Sequence, residues 1–432
     1  MQDRWIKNLD TLVPSFEEVK NRKLALSVAE AGLAGISTDN VVSRAIKLDG
    51  DILSVFEEKF DLKAFKRIKV VGFGKASCQA AVALEKILGS RIHEGVVIGL
   101  HKIECSYIET FAGTHPRPSE ENSVASEKIF QICDNATEDD LIIAIISGGG
   151  SALLCYPESE CEQGRILYDS FLKSGKTTIE LNTVRKHISL LKGGGLAKIA
   201  YPATVVGLIF SDVPGNHFED VASGPTYKDK STVIDATHII QSHNLGEFEL
   251  NETPKEDKYF EKVHNFVLVS NDIAVSAMLK KAQELGFHTK IVSTELYDEV
   301  DVSLNKIFST DTGGKDCFIL AAGDPALEIK KKGGSGGRNL YMGLRAVKLG
   351  LVDHGAVFIP LASDGMDNSD KAGVVVDEYT LAKIKERNLD IDEYLENYDA
   401  YNFFEKTEDM INTGPTGANV SDLMILLKRH GK

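Results

Sequence analysis

Runs of aliphatic and β-branched residues alternate with longer helical patterns along most of the 432-residue chain. Runs that are apolar on both faces suit strands covered by helices on both sides of a sheet. The fold class predicted is therefore α/β, with βαβ units and largely parallel sheets. The strand candidates are RIKVVGFG, EGVVIGL, LIIAIIS, ATVVGLIFSD, NFVLVSN, TKIVST, CFILAAG and AVFIPLASD.

A polar segment, residues 241–262, separates the first four strand candidates from the last four. Its charge and its single proline are typical of a connection between domains. The pattern predicts an N-terminal α/β domain over 1–240 and a C-terminal α/β domain over 263–432. The C-terminal tail could pack back on the first domain.

The composition limits which cellular compartment and which binding partners we expect. The net charge is -15 and the pI is near 5.3, which argues against nucleic acids and anionic membranes as partners. No apolar run reaches the length of a membrane span, and the first residues lack the apolar core of a signal peptide, so we expect a cytoplasmic protein. Six cysteines without a CxxC pair are expected to be buried thiols. The sequence leaves the oligomeric state open.

Two glycine-rich turns directly follow strand candidates. In VVGFGKAS, Gly74 and Lys75 stand at the start of a predicted helix and form a candidate phosphate site. A tight turn with Lys75 in solvent is the alternative. Dinucleotide binding would require an acidic residue at the end of the next strand, but Glu94 stands at the beginning of that strand.

The second turn, SGGGSALL, has a more informative spacing. Its glycines permit close backbone approach, and its serines stand at the start of a helix, where unpaired N–H groups favour an anion. The sequence therefore predicts a phosphate or carboxylate site, with a turn needed only for packing as the alternative. The residues concerned are Ser147, Gly148, Gly149, Gly150 and Ser151.

A cluster of cations follows in LNTVRKHISLLKGGG. Asn182, Arg185 and Lys192 are candidate ligands of an anion, because cations beside glycine turns form the local positive pocket that an acidic protein needs. The alternative is a solvated helix face. His187 is interpreted as a structural histidine.

Carboxylates follow three other strand candidates. Asp212, Asp324, and Asp364 with Asp367 stand at strand ends, where Mg²⁺ ligands and a general base are required in phosphoryl transfer. Asp212 and Asp364 are the catalytic candidates, and Asp212, Asp364 and Asp324 are the candidate metal ligands. Each could instead be an ordinary turn residue.

An arginine stands in the last glycine-rich segment, KKGGSGGRN. Arg338 is a candidate for holding a transferred phosphoryl group, because it stands at a glycine-lined helix start. Gly336, Gly337 and Asn339 would line the same phosphate site.

Taken in order, these motifs resemble those of the class II glycerate kinases, whose C-terminal region is called MOFRL. The resemblance covers the chain from about Val70 to its end. It implies two α/β domains, the first Rossmann-like, with the active site in the cleft between them, and transfer of a phosphoryl group from ATP to D-glycerate with Mg²⁺, commonly giving 2-phosphoglycerate. Lys75 and Arg338 match functionally important family positions. The motifs are VVGFGKAS, GTHPRPSEENS, ISGGGSALL, LNTVRKHISLLKGGGLA, SDVPGN, ASGPT, GGSGGRN, SDGMDNSDKAGVVVD and NTGPTGANVSDL.

The sequence departs from the family pattern at three places. The usual Gly-Glu before the GGRN loop is Gly323-Asp324, the aspartate of HPxPD is replaced by Ser119, and TDG begins with Ser363. Two alternative functions remain from the residues: an NAD(P)H-dependent hydroxypyruvate reductase, and a non-catalytic sugar-acid sensor on the same scaffold.

Overall fold

A computed structural model describes residues 4–13, 19–174, 178–213, 217–331, 333–353 and 355–430, without the side chains of residues 171–174, 178 and 179. The chain forms two compact units. One unit is Thr38–Val269, here called the Rossmann unit. The other combines Met1–Ser37 with Ser270–Lys432 and is here called the mixed-sheet unit.

This division differs from the predicted boundary at 241–262. The strand after that segment pairs in parallel with the strand that contains Val205, so it completes the sheet of the Rossmann unit. The N-terminal residues belong with the C-terminal ones because their long helix packs on the helix that begins at Asn271. At this contact a Cβ on Gly32 would lie 2.8 Å from Cγ of Met278.

The strands alternate with helices through much of the chain. The strands are β1 (Ile46–Asp49), β2 (Ile52–Val55), β3 (Glu58–Asp61), β4 (Arg67–Phe73), β5 (Ile92–Gly99), β6 (Glu109–Ala112), β7 (Asp140–Ser147), β8 (Thr204–Phe210), β9 (Val263–Val269), β10 (His288–Leu296), β11 (Cys317–Gly323), β12 (Val357–Ala362), β13 (Gly373–Val374), β14 (Val376–Asp377), β15 (Met410–Ile411) and β16 (Asp422–Lys428).

The helices differ widely in length, from one turn to almost five. They are α1 (Leu9–Leu12), α2 (Lys20–Ile36), α3 (Thr38–Ala45), α4 (Ser77–Leu88), α5 (Glu120–Asp134), α6 (Gly150–Leu153), α7 (Glu158–Ser174), α8 (Thr178–His187), α9 (Gly195–Ala200), α10 (Val233–Ser242), α11 (Asn271–Glu284), α12 (Val300–Phe308), α13 (Arg338–Lys348), α14 (Glu378–Glu386), α15 (Ile391–Glu396) and α16 (Ala400–Thr407).

The main sheet of the Rossmann unit is parallel, with the strand order β6-β5-β4-β7-β8-β9. When the six strands of this sheet are numbered in chain order, with β4 as the first, the order is 3-2-1-4-5-6. This is the strand order of the doubly wound fold, and it confirms the Rossmann-like prediction. Every residue of β7 is buried, as expected for a central strand covered on both faces. The strand order reverses between β4 and β7, so the turns after these two strands lie where such folds bind ligands. A small antiparallel sheet, β1-β2-β3, was not predicted.

The sheet of the mixed-sheet unit has the order β10-β11-β16-β12-β13-β15, with β14 also paired to β12. The prediction of largely parallel sheets is wrong here, because β16 lies antiparallel to both β11 and β12. The C-terminal strand therefore forms the middle of its own unit's sheet, in the described residues, and does not pack back elsewhere. Asp422 is in register with Gly323 and Ala362, the last residues of β11 and β12.

The cysteines depart from the predicted set of free thiols. Cys155 and Cys161 form a disulfide between the end of α6 and the start of α7. Cys78, Cys133 and Cys317 are buried free thiols, and Cys105 is half-buried and free. No helix in the described parts of the chain is long and apolar enough to cross a bilayer.

Candidate active site

The turns after β4 and β7 pack directly against each other. Gly74 has φ +122°, and a Cβ there would lie 2.2 Å from Oγ of Ser147. The N–H of Lys75 donates to the carbonyl of Gly148 at 2.8 Å. Ser147 is 1% exposed, and its Oγ accepts a hydrogen bond from the N–H of Ala76 at 3.1 Å. In this structure the hydroxyl of Ser147 joins the two turns, and its predicted binding role stays a prediction.

Asp212, which follows β8, lies against the turn after β7. A Cβ on Gly148 would be 2.0 Å from Oδ2 of Asp212, so only glycine leaves room for this carboxylate. The aspartate is partly buried. Burial raises the pKa of Asp212, while the positive charge of Lys75 acts in the opposite direction. A carboxylate with a raised pKa beside a strand-end turn is suited to accept a proton.

A lysine and a histidine lie against Gly149, and the charge of a nearby arginine acts on the histidine. A Cβ on Gly149 would lie 3.1 Å from Cγ of Lys75 and 3.2 Å from Cδ2 of His115. Removal from water, then the charges of Lys75 and Arg185, lower the pKa of His115 to about 4, so the imidazole is neutral at pH 7. Burial lowers the pKa of Arg185 to about 10, which leaves it charged. Within the described residues neither Lys75 nor Arg185 has a carboxylate within ion-pair distance, so this corner attracts anions.

We call Lys75, His115, Gly149 and Arg185 the cation pocket. Backbone N–H groups complete it. The N–H groups of Gly149, Gly150 and Ser151 donate to no backbone carbonyl in the described part of the chain. Since α6 has only four residues, its dipole adds little, and the anion site depends on these N–H groups and on the cations. Packing explains why position 150 is glycine, because a Cβ there would lie 2.5 Å from Cβ of Ala222.

Asn182 and Ser151 are connected through a third side chain. Oγ of Ser223 lies 2.8 Å from Oγ of Ser151 and donates to Oδ1 of Asn182 at 3.3 Å. Asn182 is buried at the base of this connection. It therefore positions the hydroxyl of Ser151 rather than reaching an anion directly.

Lys192 does not join the cation pocket. It is buried, forms an ion pair with Glu160, and donates to the carbonyl of Leu154 at 2.7 Å. A buried cation with a buried carboxylate partner is part of the packing of this region. In this structure Lys192 contributes to that packing, and its predicted binding role stays a prediction.

In the mixed-sheet unit, Arg338 lies between two carboxylates. Its Nε donates to Oδ2 of Asp422 at 2.6 Å, and its terminal nitrogen pairs with Asp324. Burial raises the pKa of Asp422 to about 7, and Arg338 opposes this shift. We call Arg338, Asp324, Asp367 and Asp422 the arginine cluster. Its carboxylates fix the guanidinium and offset its positive charge.

The carboxylate of Asp367 lies against the N-terminus of α13. It accepts from the N–H of Asn339 at 3.0 Å and from the N–H of Leu340 at 2.7 Å. A Cβ on Gly337 would lie 2.3 Å from Oδ1 of Asp367, and one on Gly336 would lie 3.0 Å from the N of Tyr401. Of the residues predicted to line a phosphate site here, Asn339 donates to the buried carboxylate of Asp367, Gly337 leaves room for that carboxylate, and Gly336 packs against Tyr401.

Asp364 lies in a turn that packs on the segment before β16. Its Oδ1 accepts from the N–H of Met366 at 3.0 Å, and a Cβ on Gly365 would lie 2.0 Å from the carbonyl of Gly414. No three His, Cys, Asp or Glu side chains of the described residues are arranged to hold a metal ion by themselves. Asp212 lies in the Rossmann unit, whereas Asp324 and Asp364 lie in the mixed-sheet unit.

Sequence reasoning missed two residues of these clusters. His115 was noted only as part of the HPRP string, although a histidine before two closely spaced prolines was a usable signal. Asp422 is the first residue of β16. It was missed because the sequence pattern was searched only for polar residues that follow a strand, as expected in a parallel sheet. Its place at the same sheet edge as Asp324 depends on β16 being antiparallel.

The turns that carry Lys75 and Gly149 lie at the strand-reversal point of a doubly wound unit, which is where α/β proteins of this class bind their ligands. Two family models match the chain: "Domain of unknown function (DUF4147)" over residues 24–255 and "MOFRL family" over residues 317–422. A protein named "Glycerate 2-kinase" from Pyrococcus horikoshii is 34% identical over 94% of this chain and 97% of its own length. The crystal structure of glycerate kinase from Thermotoga maritima matches with a TM-score of 0.84 and 30% identity, over 96% of this chain and all of that chain.

The chain therefore belongs to the glycerate 2-kinase family with a MOFRL region, and it is a kinase. The family and the enzyme class predicted from the motifs are confirmed. A further relative, from Agrobacterium vitis, is 33% identical over 84% of this chain and 87% of its own length. It carries the provisional name of a hydroxypyruvate reductase.

Proposed function

We propose that the protein transfers the γ-phosphoryl group of ATP to the 2-hydroxyl of D-glycerate, giving 2-phosphoglycerate and ADP, in the cytoplasm. The observation that carries the proposal is the cation pocket, where Lys75 and Arg185 have no carboxylate within ion-pair distance in the described residues and both act on His115, while Lys75 also acts on the partly buried Asp212. The names of the relatives, glycerate 2-kinase and glycerate kinase, support the choice of substrate.

In this proposal the cation pocket holds the glycerate carboxylate. The guanidinium of Arg185 offers a paired set of donors, and the N–H groups of Gly149 and Gly150 add backbone donors. Neutral His115 would accept or donate a hydrogen bond without adding to the positive charge. This orientation brings a hydroxyl of the substrate toward Asp212.

The chemical step is an in-line displacement. The glycerate hydroxyl oxygen bonds to the γ-phosphorus, the bond to the β–γ bridging oxygen breaks, and ADP leaves with that electron pair. Asp212 accepts the hydroxyl proton, a role that its raised pKa favours. Lys75 would offset the charge on the transferred group, and Arg338, whose Nε is held by Asp422, would donate hydrogen bonds to that group.

Mg²⁺ is part of the proposal as the partner of ATP. This cation usually binds one or two carboxylates together with phosphate oxygens, so it does not require a complete cage of side chains. We assign Asp364 to this donor set and keep Asp212 for the proton transfer; Asp324 pairs with Arg338. When bound, Mg²⁺ neutralises part of the phosphate charge.

The deciding experiment is ³¹P NMR of the purified protein with Mg-ATP and D-glycerate. We expect a new phosphomonoester signal together with ADP, and its coupling to one proton rather than two would assign the 2-phosphate. Lys75→Ala should lower kcat/KM by ~10³ if its charge acts on the transferred group. Lys86→Ala, at a largely exposed lysine of α4, is the matched control. Unchanged ATP in the presence of bound glycerate would indicate a sensor and overturn the proposal.

The name of the Agrobacterium vitis relative favours one second candidate, a nicotinamide-dependent reductase. The Rossmann unit offers little support for it. Glu94 lies near the start of β5 and pairs with Lys69 at 3.2 Å, whereas a ribose-binding carboxylate belongs at the end of that strand. Oxidation of NADPH by hydroxypyruvate, followed at 340 nm, would establish the reductase.

A further inference from the structure

A cavity of about 360 Å³ in the mixed-sheet unit has no part in the proposed chemistry. We call it the tyrosine cavity. Its size is within the range of sites for small organic ligands. It is lined by Glu299, Val300, Asp301, Ala326, Leu327, Glu328, Lys330, Tyr341, Arg345 and Tyr398.

Hydrogen bonds fix the walls of this cavity. Nε and one terminal nitrogen of Arg345 donate to the two carboxylate oxygens of Asp301 at 2.8 and 2.7 Å. The hydroxyl of Tyr398 donates to the carbonyl of Glu328 at 3.2 Å and accepts from the N–H of Lys330 at 3.3 Å. A ligand would therefore meet a largely formed site and would lose little free energy in ordering it.

An aromatic pair forms part of the lining. The rings of Tyr341 and Tyr398 lie 5.8 Å apart between centroids, with an interplanar angle of 24°. Burial raises the pKa of Tyr341, and no residue in the described parts of the chain forms a hydrogen bond with its hydroxyl. Such a pair offers a flat ligand a surface on which to stack, with a polar group at its edge.

The charges of the lining determine which end of a ligand fits. Asp301 is offset by Arg345, and Glu328 lies 3.7 Å from Lys330, which leaves the carboxylate of Glu299 without a cation in the described residues. A phosphate or a carboxylate would be repelled by this excess of negative charge. A neutral, flat group rich in N–H and O–H donors would be attracted, because carboxylates accept from amines and ribose hydroxyls.

Two residues that line the cavity lie close along the chain to residues of the arginine cluster. Ala326 is two residues after Asp324, at the end of β11, and α13 begins at Arg338 and reaches Tyr341 within its first turn. A rise of ~1.5 Å per residue places the backbone of Tyr341 ~5 Å along the helix from that of Arg338. This separation is compatible with one nucleotide that extends from the tyrosine cavity to Arg338.

We propose that the tyrosine cavity binds the nucleoside part of ATP, with the base against the tyrosine pair and the ribose hydroxyls near Glu299. This inference rests on the proposed kinase activity. It assigns the nucleoside to the mixed-sheet unit and leaves the cation pocket of the Rossmann unit to the acid substrate.

Steady-state kinetics of two variants test this assignment. Tyr341→Ala should raise KM for ATP by ~10-fold or more, because it removes a stacking surface, and should leave KM for glycerate within twofold. Tyr341→Phe keeps the ring and should retain most of the ATP affinity. Tyr107→Ala, at an exposed tyrosine of the Rossmann unit, is the control. Thermal unfolding verifies that each variant is folded.

Calorimetry with adenosine alone separates this inference from the kinase proposal. Adenosine should bind the wild-type protein and bind Tyr341→Ala ~10-fold more weakly, whether or not glycerate is phosphorylated. An unchanged KM for ATP and unchanged adenosine binding in folded Tyr341→Ala would overturn the inference, even in an active kinase. An equal rise in both KM values would also overturn it, since that result indicates a general structural effect.

Discussion

The carboxylate of Asp212 lies so close to the backbone of Gly148 that a Cβ at position 148 would be 2.0 Å from Oδ2. The Cβ would also be 2.2 Å from Cγ of the aspartate, so the flexible tip alone cannot relieve the overlap. The glycine therefore determines where the proposed proton acceptor lies.

Gly148→Ala should displace Asp212 and lower kcat/KM by ~10²-fold, the effect expected of a shift of about 1 Å in a reacting group. Gly164→Ala is a matched control, because a Cβ on Gly164, in α7, meets nothing within 4 Å. Steady-state kinetics of both variants, with unfolding midpoints, check the prediction. Full activity of Gly148→Ala would show that the position of Asp212 is unimportant.

Arg338→Ala should reduce turnover by ~10³-fold if the guanidinium acts on the transferred group. It should also destabilise the fold by ~2 kcal/mol, since the buried Asp422 loses its charge-assisted hydrogen bond. The double variant Arg338→Ala/Asp422→Asn separates these effects, because it restores stability without restoring the guanidinium. Recovery of turnover in the double variant would contradict a direct role of Arg338.

Lys192→Met should destabilise the protein by about 3 to 5 kcal/mol in urea unfolding, because Glu160 would be left as an unpaired buried charge. Lys192→Met/Glu160→Leu should recover most of this loss, and its KM for glycerate should stay close to that of the wild type. A large rise in KM in the stable double variant would support the binding role that the sequence predicted.

The pKa of Asp422 predicts a pH dependence of stability. Burial raises this pKa to about 7, far above its value in an unfolded chain, so the folded state holds a proton that the unfolded state has lost between about pH 4 and pH 7. The contribution of Asp422 to stability is therefore fully present at low pH and is lost as the pH rises toward 7, by roughly 1.4 kcal/mol for each unit of pKa difference. Relative to the wild type, Asp422→Asn should be more stable at pH 7.5 than at pH 4.5. A difference that does not change between these pH values would contradict this.

The disulfide predicts a thiol count. Unfolded but unreduced protein should react with four equivalents of maleimide, and reduced protein with six. Six equivalents before reduction would mean that Cys155 and Cys161 are free thiols, as is usual in a reducing cytoplasm. Cys155→Ser, which abolishes the bond but keeps Cys161, should give five equivalents under both conditions.

Strand-end reasoning predicted much of the cation pocket. Lys75 and Arg185 were identified because a glycine turn after a buried strand and a nearby basic segment are both visible in the sequence. Asp212 was found by the same rule. His115 was missed because its contact with Gly149 joins segments more than thirty residues apart.

The same reasoning is incomplete where a polar residue has a partner that is distant along the chain. Ser147, Lys192 and Asn339 look like ligands for an anion in the sequence. In the structure Oγ of Ser147 accepts from the N–H of Ala76, Lys192 pairs with Glu160, and Nδ2 of Asn339 donates to Asp367. A local pattern identifies which groups can bind an anion, but it does not show which of them the fold has already used.

The sequence by itself determined the α/β class, the parallel sheet of the Rossmann unit and the family, because hydrophobic periodicity and glycine spacing are local properties of the chain. The tertiary structure decided the direction of β16, the assignment of the N-terminal residues to the mixed-sheet unit and the use of each polar side chain. These features depend on which distant segments meet. A strand buried on both faces has the same composition whether it lies parallel or antiparallel to its neighbours, so its direction is not encoded locally.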